Sequence, residues 1–156
     1  MMRITLVTTG EKKEVIISAV KDDDFRVLTK KRYFFSWKTL KGKASLYKLS
    51  ISGEEDILGV MALVDEPGDK RIEIKLLVSS KENVGKKKIY DGIAGCLIAY
   101  ACREAVKKYA DLACLSLVPK TELRSNYIIK YGMMDAGWQL FLEAKPLTDL
   151  ILKYLS

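Results

Sequence analysis

Between Arg71 and Val118 the chain changes period twice. Arg71–Val78 alternates, with Ile72, Ile74, Leu76 and Val78 on one face of an extended segment and Glu73 and Lys75 on the other. Ile93–Ala110 then follows a helical pattern. Its opening stretch, Ile93–Cys102, is apolar almost all round, so this start of the helix must be buried. Leu112–Val118 is a second apolar strand, stopped by Pro119. A strand, a helix and a parallel strand in one sheet imply a right-handed crossover.

The joint between the first strand and the helix is the basic stretch Lys81–Gly95, which holds Gly85, Gly92 and Gly95. A loop of this kind that opens a helix can cradle phosphate. The first-turn N–H groups lack intrahelical partners, the helix dipole favours an anion there, and glycine lets the backbone approach closely. Spacing excludes the commoner phosphate loops. Gly85 and Gly92 are too far apart for a P-loop, and Ile93 follows Gly92 where Lys-Ser/Thr is needed. Gly92-Ile-Ala-Gly95 is not a dinucleotide fingerprint either. It does match the GXXG loop of KH modules, but the surrounding strand order does not suit that fold.

Around this centre the chain reads as hairpins and helices. Ser45–Ile51 and Ile57–Val64 are strands joined through a turn at Ser52–Glu55, and Asp65–Asp69 is a second turn. Arg3–Thr8 is a short strand, and Glu11–Val20 fits helix or strand equally. Asp22–Phe25 is a solvated turn, and Phe34–Lys38 an aromatic cluster of the kind that usually packs in a core. Thr121 is the expected N-cap of a helix running to Lys130 or Tyr131, with Gly132 as its stop. Trp138–Glu143 reads as a strand and Pro146–Leu155 as an amphipathic helix. The expected fold class is α/β in the mixed, α+β sense: a single domain over residues 1–156, with a mixed sheet flanked by helices.

Composition removes whole classes of chemistry. There is no histidine, so Ser-His and Cys-His nucleophile systems and His-ligated metals are excluded. The three cysteines are Cys96, Cys102 and Cys114, in apolar runs, and they read as small core hydrophobes rather than a disulfide framework or zinc site. No metal is expected. No apolar run reaches membrane length and the start lacks a signal-peptide pattern, so a cytoplasmic location and no membrane partner are expected. The formal charge of +7 implies an anionic partner without naming it.

From Ile57 to Glu143 the order of elements resembles the GNAT superfamily of acyl-CoA-dependent N-acetyltransferases. Gly92-Ile93-Ala94 matches the second half of that family's Gln/Arg-x-x-Gly-x-Gly/Ala loop, and Leu97 falls where its helix is apolar. The segment Tyr127-Ile-Ile-Lys-Tyr-Gly132-Met resembles the family's helix that ends in Gly-Phe. Three positions depart from the pattern. Ile89 occupies the Gln/Arg position, with Lys88 just before it. Asp91 puts a negative charge, or a helix N-cap, at the anion site. Ile128 occupies the usual tyrosine position, between Tyr127 and Tyr131.

The resemblance implies a mostly antiparallel sheet with one splayed parallel strand pair, Arg71–Val78 and Leu112–Val118. It implies acetyl-CoA as cosubstrate, with backbone groups at Leu77 and Val78 holding the pantetheine. Amides from Lys88 through Gly92, Ile93, Ala94 and Gly95 would hold the pyrophosphate, and Lys86, Lys87 and Lys88 would add screened attraction or be a solvated charge run. The acceptor would be an amine on a small molecule or protein, attacking the thioester directly. Glu73 is the candidate base, or a surface carboxylate paired with Arg71 or Lys75. Tyr127 is the candidate acid, or a packing tyrosine.

Two other readings stay open. One is a binding module without catalysis, whose basic face, Lys30–Arg32 and Lys38–Lys43 interleaved with Tyr33, Phe34, Phe35 and Trp37, would take nucleic acid or another partner. The other is a protein with the same fold that binds CoA without turning it over. On the acyltransferase reading nucleic acid is not the expected partner. The apolar C-terminal helix is left to dock on its own domain or on a second copy as a homodimer.

Overall fold

The computed structural model describes residues 2–120 and 123–155. Among these, nine strands form one sheet: β1 (Arg3–Leu6), β2 (Lys12–Ala19), β3 (Ser45–Ile51), β4 (Gly59–Glu66), β5 (Arg71–Ser79), β6 (Tyr90–Asp91), β7 (Cys114–Leu117), β8 (Met134–Ala136) and β9 (Gln139–Glu143). Their order across the sheet is β6-β1-β2-β3-β4-β5-β7-β9-β8. Every pairing is antiparallel except β5 with β7. The helices are α1 (Lys30–Tyr33), α2 (Ile93–Tyr109), α3 (Arg124–Tyr131) and α4 (Ala144–Leu155). The mixed sheet with helices and the parallel strand pair are as expected. The ambiguous second segment is the strand β2, because its alternate residues Val15 and Ile17 are buried. The N-cap expected at Thr121 lies outside the described residues.

Two cores sandwich the sheet. On one face α2 and α4 cover Leu49, Met61, Ile72, Ile74, Leu115, Leu117, Leu140 and Leu142. This explains the all-round apolar start of α2, which has the sheet on one side and α4 on the other. Two glycines let α2 sit this close. A Cβ at Gly59 would stand 2.6 Å from Ile93 Cγ2, and one at Gly95 would stand 2.3 Å from the Tyr154 ring. On the other face Leu28, Tyr33 and Trp37 cover Ile57, Val60 and Ala62. The two buried aromatic residues satisfy their polar ends: Tyr33 Oη donates to the Ile57 carbonyl at 2.8 Å, and Trp37 Nε1 donates to the Tyr33 carbonyl at 3.1 Å.

One expectation about β5 is corrected. Ile72 and Ile74 do face α2, but Leu76 and Val78 pack against the opposite core, while Leu77 turns to the α2 side. The cause is a bulge. Ala62 pairs with Leu76 and Leu63 with Ile74, which leaves Lys75 as an extra residue. One inserted residue moves all later side chains to the other face, because the strand period is two. A second correction concerns the loop Lys81–Gly95, which is not wholly irregular: Tyr90–Asp91 pairs with β1. Among the described residues no helix is long and apolar enough to cross a membrane.

Candidate active site

The parallel ladder runs from Arg71–Cys114 to Ile74–Leu117 and stops there. Beyond it β5 continues to Ser79, past the bulge, whereas the chain after β7 turns away at Val118-Pro119. Pro119 has no N–H with which to extend the ladder. The strands therefore part, and a cleft of about 480 Å³ opens between them. Leu77 and Val78 line it, as does α3 through Tyr127, Lys130 and Tyr131.

One end of the cleft is the N-terminus of α2. Gly92 is the N-cap, with φ 102°, a left-handed conformation that favours glycine. The expected alternative, Asp91 as N-cap, is thus displaced by one residue. The first intrahelical bond runs from the Cys96 N–H to the Gly92 carbonyl, so the amides of Ile93, Ala94 and Gly95 precede it. Asp91 sits beside them, ion-paired with Lys88 at 2.8 Å and Lys130 at 3.7 Å. The Lys88 hydrogen bond, with help from both lysine charges and the Gly92 N–H, holds its carboxyl below the usual range.

The loop that leads here is pinned from below. Asn83, almost fully buried, donates from Nδ2 to Ser80 Oγ at 2.9 Å and accepts from the Tyr90 N–H at 2.8 Å. Nothing in the sequence singles out Asn83, because a lone Asn in a polar loop carries no pattern.

The expected site residues divide into three groups. Leu77, Val78, Lys88, Gly92, Ile93, Ala94 and Tyr127 all line the cleft. Gly95 lies one step below the lining, under the Tyr154 ring, while Lys86 and Lys87 are exposed and stand outside the cleft wall. Glu73 also lies outside the lining. Its carboxylate, largely covered, pairs with Arg71 at 3.3 Å and Lys75 at 3.4 Å. Of the residues around the family's tyrosine position, the helix turns Tyr127 and Tyr131 to the cleft and leaves Ile128 out of it. The two tyrosine rings lie 5.8 Å apart. Burial raises the pKa of both phenols.

Phe34 and Phe35 were not anticipated at the site. They line the cleft while their neighbours Tyr33 and Trp37 are fully buried. Half of the aromatic residues interleaved with the basic stretch are therefore core, which weakens a nucleic-acid surface there. The cysteines are free, and burial pushes the Cys96 thiol up to about 11 and raises the other two as well. Among the described residues no group of His, Cys, Asp or Glu could hold a metal ion.

No protein-family model and no curated protein matches the sequence. Solved structures do match. An acetyltransferase-like protein of T. thermophilus superposes with a TM-score of 0.67 at 9% identity, over 92% of this chain and 93% of that one. An acetyltransferase of Bacillus subtilis, solved in complex with CoA, gives 0.56 at 16% identity, over 85% and 99%. The ribosomal-protein-S18-alanine N-acetyltransferase of Escherichia coli gives 0.58 at 12% identity, over 81% and 90%. With its mixed nine-stranded sheet and its single parallel pair opening onto the start of α2, the chain has the fold of the GNAT acetyltransferases.

Proposed function

We propose that this protein is an N-acyltransferase that moves an acetyl group from acetyl-CoA to an amine. The observation that carries this reading is the cleft between β5 and β7, which ends at the free amides of the α2 N-terminus. The residues present fit the cosubstrate. β5 from Leu76 to Ser79 has lost its parallel partner, so backbone at Leu77 and Val78 is available to a pantetheine amide. The amides of Gly92, Ile93, Ala94 and Gly95 and the ammonium of Lys88 suit a pyrophosphate. Lys86 and Lys87 supply only long-range attraction, which salt screens. The CoA complex of the Bacillus subtilis structure supports this choice of cosubstrate.

When bound, the cosubstrate supplies an acyl thioester. The acceptor nitrogen bonds to the acyl carbon as the carbon–sulfur bond breaks, the amine loses a proton and the thiolate gains one. Tyr127 is the proton donor: its ring lines the cleft, and burial raises the pKa of its phenol. Glu73 takes the amine proton through water, since its carboxylate is held beside Lys75 at the bulge rather than in the cleft wall. The acceptor amine belongs to a small molecule or a protein, in keeping with the protein alanine named for the Escherichia coli neighbour.

Calorimetry with acetyl-CoA tests the cosubstrate, and absence of binding at millimolar concentration would sink the proposal. For the proton donor, Tyr127→Phe is expected to lower kcat by about 100-fold and leave the CoA Kd unchanged. Glu73→Gln is expected to depress turnover most at low pH. Unchanged turnover at every pH would remove Glu73 from the reaction.

A further inference from the structure

The cleft opens on both faces of the sheet. Leu77 belongs to the α2 face of the sheet, and Leu76 and Val78 to the opposite face, yet all three line the same opening. The gap therefore passes through the sheet, with the α2 N-terminus at one mouth and Phe34 and Phe35 at the other. Resting on the acyltransferase reading, we propose that the second mouth receives an acceptor whose amine is carried on an aromatic or branched apolar body that also bears an acidic group. Polycationic amines are rejected.

The apolar half of this preference comes from exposure. Phe34 is 46% exposed, Phe35 37%, Val118 50% and Leu123 41%, and all four line the cleft. Large apolar side chains gathered in water at a concave site mark a surface that another apolar group covers. The Phe rings are also held in place before anything binds. Arg32 ties α1 to its surroundings through a bidentate pair with Asp56, at 2.7 and 3.0 Å, and a bond to Glu82 at 2.9 Å. Phe35 sits edge-on to the buried Trp37, with ring centroids 6.3 Å apart.

Phe34 caps α1 at φ 68° and ψ −15°, a left-handed conformation in which glycine is the ordinary residue. A bulky side chain held there, half in solvent, gains little from the core. Its ring is explained by what it meets in the cleft.

The acidic half comes from charge. The described residues lining the cleft include Lys75, Lys88, Lys120 and Lys130, but Asp91 is their only carboxylate. Asp91 stands at the α2 end and is already paired with Lys88 and Lys130. Away from that end the lining cations are Lys75 and Lys120. A polyamine or aminoglycoside would place further positive charge against lysine and phenyl rings where, among the described residues, the carboxylate beside Lys75 is Glu73, already paired with Arg71 and Lys75, and like charges disfavour the complex. Lys75 is already paired with Glu73, so a carboxylate or phosphate near the acceptor amine would pair with Lys120.

The test is CoA release from acetyl-CoA with phenylalanine, phenethylamine, spermidine and kanamycin as acceptors, beside calorimetry with CoA alone. Phenylalanine is expected to give the highest kcat/KM, at least tenfold above phenethylamine, with spermidine and kanamycin lowest. Phe34→Gly is expected to lower kcat/KM for phenylalanine at least tenfold while raising Tm and leaving the CoA Kd unchanged, which separates loss of the ring from loss of the fold. Lys120→Ala is expected to narrow the gap between phenylalanine and phenethylamine. If CoA binds but spermidine or kanamycin is the better acceptor, or no aromatic amine is acetylated, or Phe34→Gly leaves kcat/KM intact, the acceptor proposal is overturned and the acyltransferase reading stands. If CoA does not bind, the acyltransferase reading fails first.

Discussion

Asp91 sets the charge at the phosphate end of the cleft. Its carboxylate occupies Lys88 and Lys130 and also accepts from the Gly92 N–H, so it holds groups that an incoming phosphate would use. Asp91→Asn should free them. CoA is expected to bind about 3- to 10-fold more tightly at low ionic strength, roughly 0.6–1.4 kcal/mol, with the gain shrinking in high salt because the groups are half-exposed. Calorimetry at two salt concentrations reads this directly. An unchanged or weaker affinity would mean that Asp91 does not compete with the ligand. The sequence placed Asp91 and Lys88 together because they are near neighbours in the chain. It held no sign of Lys130, which α3 brings over from the far side of the cleft.

At the scale of elements, the packing of α2 against α4 turns on Gly95 and Tyr154. Alanine is a better helix former than glycine by about 1 kcal/mol, so Gly95→Ala alone should stabilise α2. Here a Cβ would meet the Tyr154 ring, and overpacking of this kind costs about 1–3 kcal/mol. The single variant is therefore expected to lower Tm, and the same change in a Tyr154→Ala background to raise it. Equal effects in both backgrounds would show that α4 does not fix the seat of α2.

The elements legible in the sequence were those whose pattern is local: the alternation of Arg71–Ile74, the apolar start of α2 and the Gly132 stop of α3, where φ is 71°. Those that were missed are defined by a partner. Tyr90–Asp91 is a strand only because β1 lies beside it, and Met134–Ala136 only because of β9. The bulge at Lys75 is decided in its pairing with Ala62 and Leu63. Tyr33 and Phe34 look alike as apolar aromatics, and the left-handed turn at Phe34 sends one inward and the other into the cleft.

For the molecule as a whole, a few carboxylates join distant parts of a chain with an excess of positive charge. Arg32 bonds Asp56 and holds its carboxyl below the usual range. For Glu82 and Asp24 burial works in the opposite direction, but hydrogen bonds outweigh it, from Arg32 to Glu82 and from Lys48 and the Lys21 N–H to Asp24. Each carboxyl titrates lower in the folded chain than in the unfolded one. Their contribution is complete above the unfolded value of about 4 and is lost as pH falls through the lowered folded values. Over the same range the formal charge climbs from +7 toward +27, the full count of Lys and Arg. Both effects act in one direction. Tm is expected to hold between about pH 5.5 and 7 and to drop steeply below about 4. Arg32→Ala should flatten that drop, as calorimetric scans across pH would show, and an unaltered slope would place the acid sensitivity elsewhere.

The bulge at Lys75 also matters for how such a molecule is inherited. Without that residue, Ile72 and Ile74 would continue into unbroken alternation with Leu77, and β4 would face a regular ladder. The bulge thus absorbs a single codon, and it keeps Leu77 on the α2 face where unbroken alternation of the same sequence would put Leu76 and Val78. An in-frame loss of that triplet would remove the bulge and a lysine that lines the cleft and pairs with Glu73, yet leave every apolar residue of β5 on its present face.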